Sequence, residues 1–61
     1  MPTNDLRALI VDDERLARRG LRAALDDQAN VQVVAEARSV DDAETAIREH
    51  TPDVVFLDIQ M

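Results

Sequence analysis

The chain has 61 residues, a formal net charge of −6 and no cysteine, so it is at most one small domain, with neither a disulfide framework nor a cysteine zinc cluster to brace it. At this length only about 60% of the unfolded chain's surface is buried on folding, which leaves the segment marginally stable by itself. The acidic balance argues against direct nucleic-acid binding by this segment, while the absence of a signal-peptide pattern at Met1-Pro2-Thr3-Asn4-Asp5 and of any run near ~20 apolar residues leads us to expect no membrane span and a cytoplasmic location.

Residues 1–6 form a polar lead-in. Ala8-Leu9-Ile10-Val11 is a continuous apolar run of strand length, the pattern of a strand buried on both faces, and predicts β1 over 8–11. Asp12-Asp13-Glu14 stand at its C-terminal tip. Over 14–26 the residues Leu16, Ala17, Gly20, Leu21, Ala24 and Leu25 recur at three- and four-residue spacing, which predicts helix α1. Gly20 lies inside that helix at a cost of about 1 kcal/mol against Ala, so close helix-to-sheet packing is expected there. After the polar break 28–30, Val31, Val33, Val34 and Ala35 predict β2. Ser39 offers an N-cap with Asp42 three residues on, and Val40, Ala43, Ala46 and Ile47 give one apolar face, so α2 should run to about His50, where Thr51 precedes Pro52. Residues 53–57 predict β3, which delivers Asp58 at its tip.

The order β-α-β-α-β, with short links and right-handed crossovers, gives an α/β fold with a parallel three-stranded sheet. In a doubly wound order with β1 beside β3, the switch point falls between them, and Asp12, Asp13 and Asp58 stand at that crevice. Strands lie about 4.8 Å apart, so carboxylates at neighbouring tips can share a cation, and oxygen-only donors favour Mg²⁺ or Mn²⁺ over zinc. A carboxylate beside such an ion can also serve as a nucleophile toward phosphorus. Two plainer readings stand beside this one. Asp12, Asp13 and Glu14 can cap α1 and complement its dipole, and Asp58 can be a strand-end turn residue.

Leu9-Ile10-Val11-Asp12-Asp13-Glu14, taken with Val54-Val55-Phe56-Leu57-Asp58-Ile59-Gln60-Met61, resembles the receiver domain of bacterial response regulators. The stretch Arg15-Leu16-Ala17-Arg18-Arg19-Gly20-Leu21-Arg22 further resembles receivers attached to LytTR-type DNA-binding domains. The resemblance implies that Asp58 is the phosphoacceptor, that Asp12, Asp13 and Asp58 hold Mg²⁺ directly or through water, and that the Gln60 backbone carbonyl is another ligand. It implies a sensor histidine kinase as partner, docked through α1, and a parent that regulates transcription. It covers almost the whole chain yet only the first half of a flavodoxin-like receiver, residues 1–61 being a truncated β1-α1-β2-α2-β3 unit. The family's hydroxyl residue on a fourth strand and lysine on a fifth have no counterpart here, and the chain contains no lysine.

Arg15, Arg18, Arg19 and Arg22 form one stripe of α1, read either as a solvated face with Arg22 paired to Asp26 or as the kinase-docking surface. His50, the only histidine, is expected to interact with the α2 dipole rather than to carry phosphate. The resemblance describes a phosphoacceptor rather than an enzyme. Two alternatives remain: a Mg²⁺-dependent aspartyl-phosphate phosphatase, although the chain lacks the second Asp such enzymes carry after the nucleophile, and a self-associating half-domain without phosphorylation activity. A nucleotide site would need glycines after β1, where Asp12-Asp13-Glu14-Arg15 stands instead. An exposed β3 edge would favour a homodimer, through paired β3 strands or by exchange of an element.

Overall fold

The structure, a computed structural model, describes residues 5–58. Strand β1 (Leu6–Asp12), helix α1 (Arg15–Asp26), strand β2 (Val31–Ala37), helix α2 (Val40–His50) and strand β3 (Val54–Asp58) follow one another in the expected order. They build one parallel sheet in the order β2-β1-β3. The central strand is the most buried one, and Ala8, Leu9, Ile10 and Val11 are wholly buried, as a strand covered on both faces requires.

Pairing carries two strands beyond their apolar runs. β1 starts at Leu6, whose N–H donates to the Asn30 carbonyl at 2.8 Å, and extends to Asp12. β3 starts at Val54 because Asp53 is occupied in a clamp on β1. Its N–H donates to the Arg7 carbonyl at 2.7 Å and its Oδ2 accepts from the Arg7 N–H at 2.9 Å. The Arg7 guanidinium donates to the His50 carbonyl, fastening the end of α2 to the same edge of the sheet.

An irregularity in β2 decides which residues face which helix. Ala8 pairs with Val33 but Leu9 pairs with Ala35, so Val34 is an extra residue, a bulge. Side chains alternate along a strand, and paired residues of neighbouring parallel strands share a face. Val31 and Val33 therefore share the face of Leu6 and Ala8, whereas Ala35 and Ala37 share that of Leu9 and Val11. The bulge also sends Glu36 to the face of Ile10.

The helices take opposite faces. Leu9, Val11 and Ala37 pack with Ala43 and Ala46 of α2 and with Ala35, while α1 reaches Glu36 on the other side. The start of α2 is as the sequence leads one to expect: Ser39 Oγ accepts from the Asp42 N–H at 3.1 Å. Asp42 does not return a bond to complete a capping box, and its carboxylate lies 3.5 Å from Arg38. The helix ends at Thr51, which adopts the left-handed conformation (φ 44°) and donates its N–H to the Ile47 carbonyl at 2.9 Å. Pro52 then prevents helical continuation.

Two expectations about packing fail. Of the α2 apolar face only Ala43 and Ala46 are buried, and Val40 and Ile47 are exposed. Helix α1 buries no residue, and Leu16 is 77% exposed. Gly20 is not a point of close approach, since a Cβ placed there meets nothing within 4 Å. Both results have one cause. The helices lie over β1 and β2, and among the described residues β3 touches only β1, so the outer part of each apolar stripe has no partner beneath it. Leu57 on β3 is accordingly 65% exposed and Val55 is exposed as well.

Candidate functional site

Asp12 and Asp58 are paired residues at the C-terminal tips of β1 and β3, side by side at the switch point of the sheet. Their surroundings differ. Asp12 is buried, with 5% of its surface exposed, and its Oδ1 accepts from the Glu14 N–H at 2.9 Å. This turn two residues on is a local bond typical of aspartate, and it leads the chain from β1 into α1. Asp13 and Asp58 are exposed. Gln60 lies outside the described residues.

The capping explanation of the acidic run reduces to that one Asp12 bond. Glu14 occupies the N-cap position of α1 without a side-chain cap bond, and the first turn of the helix contains no acidic residue. Asp13 and Glu14 still place negative charge at the positive end of the α1 dipole, without a side-chain cap bond from Glu14.

Among the described residues no three His, Cys, Asp or Glu side chains stand close enough together to enclose a metal. Mg²⁺ does not require such a cage, because it is bound through one or two carboxylates while keeping waters and phosphate oxygens. Asp12 and Asp58, in register and with only oxygen donors, are chemically suited to that ion, and Asp13 adds negative charge at the same tip.

A basic residue completes the surroundings. Arg18, one turn into α1, donates its Nη1 to the Asp12 carbonyl at 2.6 Å and lies 3.6 Å through Nε from the Glu36 carboxylate. Arg22 binds the same carboxylate at 2.6 Å and lies 3.8 Å from Asp26. The hydrogen bond to Glu36 raises the Arg22 guanidinium further above its already high pKa, so its charge is constant under all ordinary conditions. The arginine stripe is thus divided: Arg18 and Arg22 are turned to Glu36, Arg18 alone being partly enclosed, while Arg15 and Arg19 are exposed without that partner among the described residues.

His50 stands at the other edge of the sheet. It ends α2, where its positive form complements the helix dipole, and its carbonyl is bound by Arg7, the second residue of β1. Five residues of strand, about 16 Å at 3.3 Å per residue, separate that point from Asp12.

A family profile described as response regulator receiver domain matches residues 8–61. The chain belongs to the response regulator receiver family. Receiver domains are signalling modules, and the parallel sheet flanked by two helices is the expected flavodoxin-like arrangement. The relatives include a response regulatory protein of Yersinia pestis, 50% identical over 56 residues, which are 92% of this chain and 24% of that protein. The transcriptional regulatory protein BtsR of Escherichia coli K12 and the sensory transduction protein LytT of Bacillus anthracis are each 45% identical over 56 residues, 92% of this chain and 23% of the relative. A LytT among the relatives accords with the LytTR-type resemblance of residues 15–22. The receiver segment spans about a quarter of the length of these proteins. No solved structure matches it.

The family motifs point to the acidic tips but not to Arg18 or Glu36. The i, i+3, i+4, i+7 spacing of the arginines marks a stripe without saying which members fold inward. That depends on the bulge at Val34, which sets the side of the sheet from which Glu36 projects.

Proposed function

We propose that this segment is the phosphoacceptor part of a two-component regulator, receiving a phosphoryl group on Asp58 from the phosphohistidine of a sensor kinase. In the transfer the kinase P–N bond breaks, an Asp58 carboxylate oxygen forms the new P–O bond, and the imidazole leaves. The observation that carries this reading is the register match of Asp12 with Asp58 at the tips of adjacent parallel strands, which sets a buried carboxylate beside an exposed one. Exposure lets Asp58 meet a phosphodonor. Burial and the Glu14 N–H hold the Asp12 side chain in place, which supports its reading as a ligand, with Asp13 and Asp58 and the Gln60 carbonyl, outside the described residues, as the further donors.

Mg²⁺, or Mn²⁺ in its stead, supplies the positive charge that offsets the phosphoryl oxygens. We read residues 1–61 as the β1-α1-β2-α2-β3 part of a receiver. The exposed Arg15 and Arg19 of α1 offer the kinase a basic contact. The parent is a cytoplasmic DNA-binding regulator; among the described residues β3 pairs with β1 alone and exposes Val55 and Leu57, which supports self-association of this segment through β3 or by element exchange. The full-length protein should gain one phosphoryl mass from a small-molecule phosphodonor in the presence of Mg²⁺. Equal labelling of Asp58→Asn, or labelling untouched by chelator, would overturn the reading.

A further inference from the structure

We propose that Arg18 is a positioning residue for the acidic site, fixing the tip of β1 so that the Asp12 carboxylate is held ready for a cation. The inference rests on the cation-binding reading of Asp12, Asp13 and Asp58. Arg18 is the best enclosed of the paired arginines, its side chain 17% exposed against 47% for Arg22. Its guanidinium spans two strands, with one arm on the Asp12 carbonyl at 2.6 Å and another facing Glu36 of β2 at 3.6 Å. The first contact is a hydrogen bond and the second an ion pair, and a lysine ammonium cannot reproduce a planar fork that meets both at once.

Asp12 is consequently fixed twice. Arg18 holds its main chain, and the Glu14 N–H holds Oδ1 at 2.9 Å, while among the described residues no hydrogen bond engages its second carboxylate oxygen. Partners of this kind, one shell behind a metal ligand, set where the ligand points. The bulge at Val34 belongs to the same device. Without it the alternation of β2 would turn Glu36 toward α2, and Arg18 would have no counter-charge on the α1 face. Glu36, which Arg22 shares, offsets part of the positive charge that Arg18 brings beside the cation site.

Electrostatics and positioning predict opposite signs, which makes the inference testable. Removing a positive charge near a cation site strengthens cation binding by Coulomb's law. Removing a strut weakens it. Mn²⁺ serves as the probe, titrated by electron paramagnetic resonance into the full-length protein, with circular dichroism to verify folding of each variant. The wild type should bind Mn²⁺ and Asp13→Asn should bind it more weakly. Arg18→Met should bind about tenfold more weakly than wild type, the scale seen when a partner behind a metal ligand is removed, and Arg18→Lys should fall between the two.

Arg22→Met breaks the shorter ion pair to the same Glu36 without touching Asp12, and Arg19→Met removes a charge alone. Both should keep wild-type affinity. An Arg18→Met protein that binds as tightly as wild type or more tightly would overturn the positioning role, as would equal losses in Arg18→Met and Arg22→Met, which would mean that only the α1 contact matters. Should Arg18→Met not fold, Arg18→Lys decides, and wild-type affinity there refutes the inference. A wild type with no Mn²⁺ affinity would remove the cation site itself, and the inference with it.

Discussion

Replacing Asp12 by Asn keeps a side-chain oxygen for the Glu14 N–H, now 2.9 Å from Oδ1, and removes the charge that faces Asp58 across the strand pair. Neighbouring tips about 4.8 Å apart repel by about 1 kcal/mol in a water-like medium, the appropriate limit because Asp58 is exposed. Exchanging a charged acceptor for an amide weakens one hydrogen bond by a similar amount, about 0.5–1 kcal/mol. In chelator, Asp12→Asn should therefore melt close to wild type. Asp12→Ala has no acceptor for the Glu14 N–H and should be less stable than Asp12→Asn by about 1 kcal/mol. Mg²⁺ at ten times its dissociation constant adds about 1.4 kcal/mol to the wild type by linkage, and in a domain of 60–100 residues each 1 kcal/mol moves the melting point about 4–8 °C. Thermal melting followed by circular dichroism, with and without Mg²⁺, reads all three effects. The wild type should shift upward in Mg²⁺ and neither variant should. A full Mg²⁺ shift in Asp12→Asn would remove Asp12 from the ligands, and identical melting of the two variants in chelator would show that the turn bond stabilises nothing.

Gly20→Ala should raise stability by about 1 kcal/mol, the helix-propensity difference, because the added methyl group meets no atom within 4 Å; a lower melting temperature in a thermal scan would contradict the open surroundings of that position. The 61-residue chain should sediment as a dimer at micromolar concentration, since among the described residues β3 has a single strand neighbour and presents Val55 and Leu57 to solvent. A cooperatively melting monomer would refute that association.

The acidic tips were legible because strand and charge patterns coincide there. Ala8-Leu9-Ile10-Val11 has the length and the uniform apolarity of a buried strand between turn signals, and two such runs ending in aspartates point to a shared edge once the crossovers are right-handed. The end of α2 was legible for a similar reason, since Thr51 before Pro52 leaves the helix no continuation. The bulge at Val34 was not. Val31, Val33, Val34 and Ala35 suit either register, and nothing in a valine-rich strand marks which residue is extra. Everything that follows from that residue was hidden with it: the face of Glu36, the inward turn of Arg18 and Arg22, and the hold on Asp12. Gly20 and Leu16 show a second limit. Periodicity identifies the apolar side of α1 but not how much sheet lies beneath it, and over β1 and β2 alone there is too little to cover the stripe.

The claim on which the account depends is that Asp58 is the residue that takes the phosphoryl group. The direct measurement is to phosphorylate the full-length protein with a small-molecule donor and Mg²⁺, reduce the acyl phosphate with borohydride, and locate by peptide mass spectrometry the aspartate converted to homoserine. Conversion should appear at position 58, with none in Asp58→Asn. Phosphate recovered on His50 or on a hydroxyl residue, with Asp58 unmodified, would contradict it.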